Sequence, residues 1–70
     1  MLVTQVNQIV GYNAVAEFQA ETADTYAIRL TKPLSDNELA MLNAVSAEQQ
    51  VTLRFHFEDD IWESRPTGLA

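Results

Sequence analysis

The chain has 70 residues, which is enough for one small hydrophobic core. It contains no cysteine, so disulfides and thiolate metal sites are excluded. Ten acidic and four basic residues give a net charge of -6, and apolar residues make up 47% of the sequence, too many for a disordered acidic tail. The composition therefore predicts one folded, acidic domain.

The basic residues argue against direct nucleic-acid binding. They are scattered along the sequence, so a basic patch that could neutralise phosphates is not expected. The first ten residues, MLVTQVNQIV, have no basic region and contain Gln and Asn among the apolar positions, unlike a signal peptide or a membrane span. We therefore expect a cytoplasmic protein that binds no membrane. The basic residues are Arg29, Lys32, Arg54 and Arg65.

The N-terminal part of the chain is rich in β-branched residues. LVTQVNQIVGY, residues 2–12, is rich in Val, Ile and Thr and predicts a strand that ends in a turn at Gly11 and Asn13. Residues 13–23 give conflicting signals, because apolar positions alternate while Ala, Glu and Gln favour a helix and Asn13 could cap one. We interpret them as a second strand; the helical alternative would give the order βαβαβ.

The middle of the chain has the clearest local signals. Tyr26, Ile28 and Leu30 alternate with polar or small residues and predict a strand with one buried face. In SDNELAMLNAVS, residues 35–46, Ser35 and Glu38 have the spacing of a capping box. A helix is therefore predicted, with Leu39, Leu42 and Val45 as its core stripe.

The segment TLRFHFEDDIWES, residues 52–64, alternates like a strand and then becomes acidic around the single tryptophan. If the extended backbone continues without a break, two sets of side chains lie on opposite faces. One face would carry Thr52, Arg54, His56, Glu58, Asp60 and Trp62, and the other Leu53, Phe55, Phe57 and Ile61.

These elements predict an α+β domain over residues 1–63, with 64–70 as a loose C-terminal tail. The expected architecture is a mainly antiparallel sheet of three to five strands with one helix packed on one face. The expected order of elements is βββαβ, which a short last strand could extend. The predicted core consists of Leu30, Leu39, Leu42, Val45, Leu53, Phe55 and Phe57.

No catalytic, cofactor or metal motif is evident. His56, Glu58 and Asp60 could share a strand face, but a straight strand spreads its ligands in parallel, and the chain has no second histidine. The chain has no cysteine nucleophile, and its single histidine would have to act as the base for one of the serines. We expect no enzyme, no cofactor and no metal; a small metal-dependent enzyme is the most distant alternative.

Residues 58–63 are the candidate partner-binding site. An aromatic anchor among acids is typical of interaction surfaces, where tryptophan is enriched, and the acids would attract a partner with a basic surface. The competing interpretation is that Trp62 covers the end of the core, with Ile61 packed beneath it. The candidate residues are Glu58, Asp59, Asp60, Ile61, Trp62 and Glu63.

The leading functional hypothesis is a protein-binding module that regulates or inhibits a partner by occupying its surface. The alternative is an inhibitor of a host nuclease or defence complex, of the phage or mobile-element type, whose acids stand in for phosphates if hairpin and strand ends lie together. The acids that would take part in this mimicry are Glu17, Glu21, Asp24, Glu58, Asp59, Asp60 and Glu63.

The outer face of the helix is a candidate dimer face. On a helical wheel, small uncharged residues lie away from the core stripe, so another helix, including one from a second copy, could dock there. Alanine also simply favours helix, and the sequence alone leaves the oligomeric state open. The residues of this face are Ala40, Met41, Ala44 and Ala47.

Overall fold

A computed structural model describes residues 2–66 as two helices and one four-stranded sheet. The α+β class is confirmed, but the order is αββαββ and not the predicted βββαβ or its alternative βαβαβ. Both helices cover one face of the sheet and contact each other. In chain order the elements are α1 (Leu2–Val10), β1 (Val15–Ala20), β2 (Thr25–Leu30), α2 (Asp36–Gln49), β3 (Thr52–Phe57) and β4 (Asp60–Ser64).

The prediction of a strand over residues 2–12 is wrong, because Leu2–Val10 form helix α1. Val6 and Val10 are buried on the side of α1 that faces the core, four residues apart as helical periodicity requires. Tertiary burial of this stripe overrides the strand propensity of its β-branched residues. Gly11 follows at φ 100° and donates its N–H to the Asn7 carbonyl, which ends the helix.

The sheet has the order β1-β2-β3-β4 and is mixed. The β1–β2 and β3–β4 pairs are antiparallel, whereas β2 and β3 are parallel neighbours joined through α2, so the predicted mainly antiparallel arrangement is only partly right. The interpretation of residues 13–23 as a strand is confirmed by β1. A bulge interrupts the β1 register between Val15 and Glu17.

Helix α2 begins where the sequence predicts. The Ser35 Oγ accepts a hydrogen bond from the Glu38 N–H at 3.2 Å, and the Glu38 carboxylate accepts one from the Ser35 N–H at 3.0 Å. The Lys32 ammonium donates to the same carboxylate at 3.0 Å. These contacts, led by the Ser35 N–H, hold the pKa of Glu38 below its ordinary value.

The core lies between the helices and one face of the sheet. Of the predicted core residues, Leu30, Leu42, Val45, Leu53 and Phe55 are buried, and Leu39 and Phe57 are partly buried against the cluster. The prediction omitted several residues that complete the core. These are Val6, Val10, Ala14, Ile28, Leu34 and Val51.

A buried polar contact fastens α2 to the end of β4. Ser46 and Ser64 are both fully buried, and their hydroxyl oxygens lie 2.7 Å apart. The Ser46 hydroxyl also donates a hydrogen bond to the Ser64 carbonyl oxygen at 3.1 Å. Ser64 is the last residue of β4 and lies one residue beyond the predicted end of the domain. Residues 67–70 of the predicted tail lie outside the described residues.

Candidate functional site

The acidic segment folds as a hairpin and not as one continuous strand. Glu58 and Asp59 form a two-residue turn, and Glu58 has a φ of 54°, in the region that favours glycine. The turn reverses the chain, so Phe55 lies opposite Trp62 and His56 lies opposite Ile61. The predicted assignment of faces after Phe57 is therefore wrong, because side-chain alternation restarts after the turn.

The turn places Ile61 and Trp62 on opposite sides of the sheet. Trp62 lies on the helix-covered side, partly buried against the core, as the core-covering interpretation expected. Ile61 lies on the open side and is 60% exposed, so it does not pack beneath the tryptophan. A partner that contacts β4 from one side of the sheet meets one of these side chains, and a partner that lies along the strand edge can meet both.

The hairpin tip, which we define as Glu58, Asp59, Asp60 and Ile61, is exposed along its whole length. The ion pairs found in residues 2–66 use Glu17, Glu21, Glu38 and Glu63, so they leave the three tip carboxylates without a cation inside the described part of the chain. Three consecutive exposed carboxylates therefore precede the exposed side chain of Ile61, with Asp60 on the helix-covered side of the sheet and Ile61 on the open side.

The open face of the sheet has a different electrostatic character, because its arginines are paired with glutamates. The Arg29 Nε lies 3.7 Å from a Glu17 oxygen. Arg54 lies between Glu21, at 3.5 Å, and Glu63, at 3.7 Å. Arg29 and Arg54 share this face with Arg65, which also contacts Glu63, so three basic residues that are scattered in the sequence lie on one side of the sheet.

This pairing divides the charges of the molecule. Three of the four basic residues balance three glutamates on the open face. The other seven acidic residues and the fourth basic residue, Lys32, together give the net charge of -6. The acidic character therefore belongs to the turns and the helical side, and the open face is close to neutral.

The acids proposed to mimic phosphates do not form one surface. Glu21 and Asp24 lie at the β1–β2 turn, where the Asp24 carbonyl accepts a hydrogen bond from the Thr52 N–H at the start of β3. Glu58 and Asp59 lie beyond the other end of β3. Because a six-residue strand is roughly 20 Å long, the two acidic turns are separated by the length of the sheet.

His56 lies on the open face, opposite Ile61 and beside Arg29 in the strand register. Asp60 lies opposite Phe57, so it belongs to the other side of the sheet, and Glu58 lies in the turn. The three residues considered as metal ligands are therefore not brought together. Among residues 2–66 there is no cluster of three or more histidine, cysteine, aspartate or glutamate side chains arranged to hold a metal ion.

A shallow depression of about 330 Å³ lies between the α1–β1 turn and the end of β2. Its walls are mostly exposed loop residues, including Tyr12, and the ammonium of Lys32 at its rim is bound to Glu38. The Thr31 hydroxyl in its wall donates a hydrogen bond to the Asn13 carbonyl at 2.9 Å. The lining residues are Val10, Gly11, Tyr12, Asn13, Ala14, Thr31 and Lys32.

The outer face of α2 lies where the helical wheel predicts. Ala40, Met41 and Ala44 are exposed, with Met41 at 55%, and Ala47 is partly buried. Within residues 2–66, neither helix has the length and apolar character needed to cross a bilayer.

Comparison of the chain with known protein families, with curated proteins and with solved structures finds no match. The hairpin tip and the open face are the features of the molecule that bear on its function.

Proposed function

We propose that the chain is a small cytoplasmic, non-enzymatic protein-binding module that acts as a regulatory or inhibitory factor by occupying a partner's surface. The observation that carries the proposal is the hairpin tip, where three exposed carboxylates adjoin the exposed side chain of Ile61. The partner has a basic surface with an apolar depression, and needs no catalytic group from this chain.

Binding proceeds in two physical stages. The tip carboxylates attract a basic partner over a distance of about one Debye length, which raises the association rate and makes it sensitive to salt. Burial of Ile61 then slows dissociation, because apolar area at the centre of an interface is protected from water by its polar rim. Removal of the tip carboxylates should therefore mainly lower the association rate, and removal of the Ile61 side chain should mainly raise the dissociation rate.

The same geometry favours a protein partner over a nucleic acid. Phosphates are repelled by the hairpin tip, and the three arginines of the open face are already neutralised by glutamates. The phosphate-mimic alternative receives less support, since its acids are spread over two turns at opposite ends of the sheet and the open face between them, where Glu17 and Glu63 are paired with arginines.

The test is affinity capture followed by measured binding of the recovered partner. The tip variant Glu58→Gln/Asp59→Asn/Asp60→Asn is compared with a control, Glu17→Gln/Asp24→Asn/Glu48→Gln, that removes the same charge elsewhere. We expect affinity to fall at least tenfold for the tip variant and much less for the control. Equal loss in both variants would show that net charge alone attracts the partner, and capture unaffected by either would exclude the hairpin tip.

A further inference from the structure

The two edges of the sheet differ in how regularly they present backbone groups. An edge strand presents unpaired N–H and C=O groups that can bind another strand. At β1 the bulge between Val15 and Glu17 disrupts the regular spacing of these groups. At β4 the register runs without interruption from Asp60 to Ser64, and within residues 2–66 this strand pairs with β3 alone. The β4 edge is therefore the better suited of the two to accept another strand.

Every second residue of β4 directs its backbone groups away from β3. In an antiparallel pair, facing residues alternate between pairs that exchange both hydrogen bonds and pairs that exchange none. Phe57 and Asp60 face each other across the two-residue turn and are the hydrogen-bonded pair that closes it. Counting from this pair, the even-numbered residues of β4 bond to β3, whereas the N–H and C=O groups of Ile61 and Glu63 point to the free edge.

The side chains around this edge supply two apolar contacts and a charge. Ile61 is exposed on the open side of the sheet and Trp62 is partly buried on the helix-covered side, so a strand laid along β4 would contact both. The carboxylates of Glu58, Asp59 and Asp60 lie at the first end of β4, and the ion pairs of residues 2–66 do not use them. A strand with cations at the end beside the turn would therefore be complementary in both hydrogen bonding and charge.

We infer that the free edge of β4 binds an extended, basic segment of a partner protein as a fifth strand of the sheet. The inference rests on the proposed function and makes it more specific, because the hairpin tip supplies the charge and the strand edge supplies the backbone pairing. Ile61 and Glu63 exchange main-chain hydrogen bonds with the segment, and its lysines or arginines lie beside the hairpin tip. Its alternate side chains lie against Ile61 on one side and Trp62 on the other.

A second copy of this chain fits the same edge less well. It brings no free cation to the hairpin tip, since each of the four basic residues already contacts a glutamate of its own chain. Each copy also carries a net charge of -6, so two copies repel each other. A basic segment of another protein meets neither obstacle.

The test uses a synthetic peptide as the probe, in which two lysines precede and two follow the alternating run Thr-Val-Thr-Val-Thr. Lysines at both ends allow either strand direction. The control peptide has proline in place of both valines, so it keeps the charge but cannot form a regular strand. In NMR titrations of the labelled chain, we expect the first peptide to bind about tenfold more tightly than the control. It should shift the amides of Ile61 and Glu63 and protect them from solvent exchange, whereas those of Trp62 and Ser64 are already bonded to β3.

A proline in β4 removes the edge donor without removing the strand. Glu63→Pro deletes one outward-facing N–H and leaves the hydrogen bonds between β4 and β3 in place. Glu63→Ala is the matched control, because it removes the same carboxylate and keeps the N–H. We expect the proline variant to bind the first peptide about tenfold more weakly than the alanine variant. Circular dichroism checks both folds, and the control peptide decides the question if the proline variant does not fold.

The outcomes separate this inference from the proposed function. Equal binding of the two peptides that the tip variant Glu58→Gln/Asp59→Asn/Asp60→Asn abolishes would show that the hairpin tip attracts cations without strand addition. That result overturns the inference and leaves the proposed function. Binding that the tip variant retains in full would contradict both. No binding of either peptide at millimolar concentration, or self-association of the free chain through the same two amides, would overturn the inference.

Discussion

The two faces of the sheet are built from alternate residues of the same strands, but they are held in different ways. On the covered face, Ile28, Leu53 and Phe55 are removed completely from water beneath the helices. On the open face, Arg29 and Arg54 are held by glutamates that remain partly in solvent. Burial of a large apolar side chain contributes about 1.5–3 kcal/mol, whereas an exposed ion pair contributes about 0–1 kcal/mol.

Stability is therefore concentrated on the covered face, away from the hairpin tip at which we propose that a partner binds. Most of the folding free energy comes from the covered face, so the open face and the hairpin tip can change without loss of the fold.

The largest effect is expected at the centre of the covered face. Leu42 is completely buried, and Leu42→Ala should lower the free energy of unfolding by about 2–5 kcal/mol because it removes apolar contacts and leaves a cavity. In a domain of this size that loss unfolds much of the population. Chemical denaturation measures it; Met41→Ala, on the exposed side of the same helix, is the control and should cost far less. Equal effects would contradict the assignment of faces.

A smaller effect is expected for the buried contact between the Ser46 and Ser64 hydroxyls on the covered side. Ser46→Ala leaves the buried Ser64 hydroxyl without its partner and should lower stability by about 1–3 kcal/mol. The double variant Ser46→Ala/Ser64→Ala removes both groups and should cost less than the sum of the two single changes. Strict additivity in a denaturation cycle would show that the two hydroxyls do not interact.

A third effect is expected at the start of α2, where the capping box is polar although it lies beside the covered face. Since the pKa of Glu38 is lowered by folding, its ionised form stabilises the protein above the pKa of an unfolded glutamate, about 4.3, and this contribution is lost as pH falls through the lower folded pKa. Glu38→Ala should cost about 1 kcal/mol at pH 7.

The pH dependence provides the control for this prediction. Glu38→Gln keeps an acceptor for the Ser35 N–H but cannot ionise, so its stability difference from the parent chain should shrink as the solution is acidified below pH 4. A difference that stays constant between pH 7 and pH 3 would show that the ionised carboxylate does not contribute.

The smallest effect is expected on the open face. His56 is partly exposed beside Arg29 and opposite Ile61, so His56→Ala should change stability by at most about 0.5 kcal/mol and should leave partner binding nearly intact. Thermal unfolding and the capture assay measure the two effects. Collapse of the fold, or loss of a stoichiometric metal ion with this change, would restore His56 as a site residue.

Local signals in the sequence predict part of this architecture. Ser35 and Glu38 identify the start of α2, and alternation identifies β1, β2 and β3, because each signal depends on neighbours a few residues away. Helix α1 is missed because its β-branched residues favour a strand, although the spacing of Val6 and Val10 and the following Gly11 are the helical signals that could have found it.

Two features of the candidate site could not be predicted from the pattern of residues in the sequence. The turn at Glu58 and Asp59 contains no glycine or asparagine, so nothing marks the point at which the alternation restarts and Trp62 moves to the covered side. The gathering of Arg29 and Arg54 on one face depends on the parallel register of β2 and β3, which joins residues far apart in sequence.

That parallel junction also has a consequence for the order of folding events. The two hairpins join neighbouring segments and can close in about 1–10 μs, but pairing Thr25 with Thr52 requires the intervening chain to cross over the sheet first. The conformational entropy that is lost when this loop closes is compensated only when α2 docks. The buried stripe of α2 then supplies the apolar contacts that hold β2 beside β3. The transition state for folding is therefore expected to contain β2, α2 and β3 together, with β1 and β4 brought in by the two hairpins that can close before this junction forms.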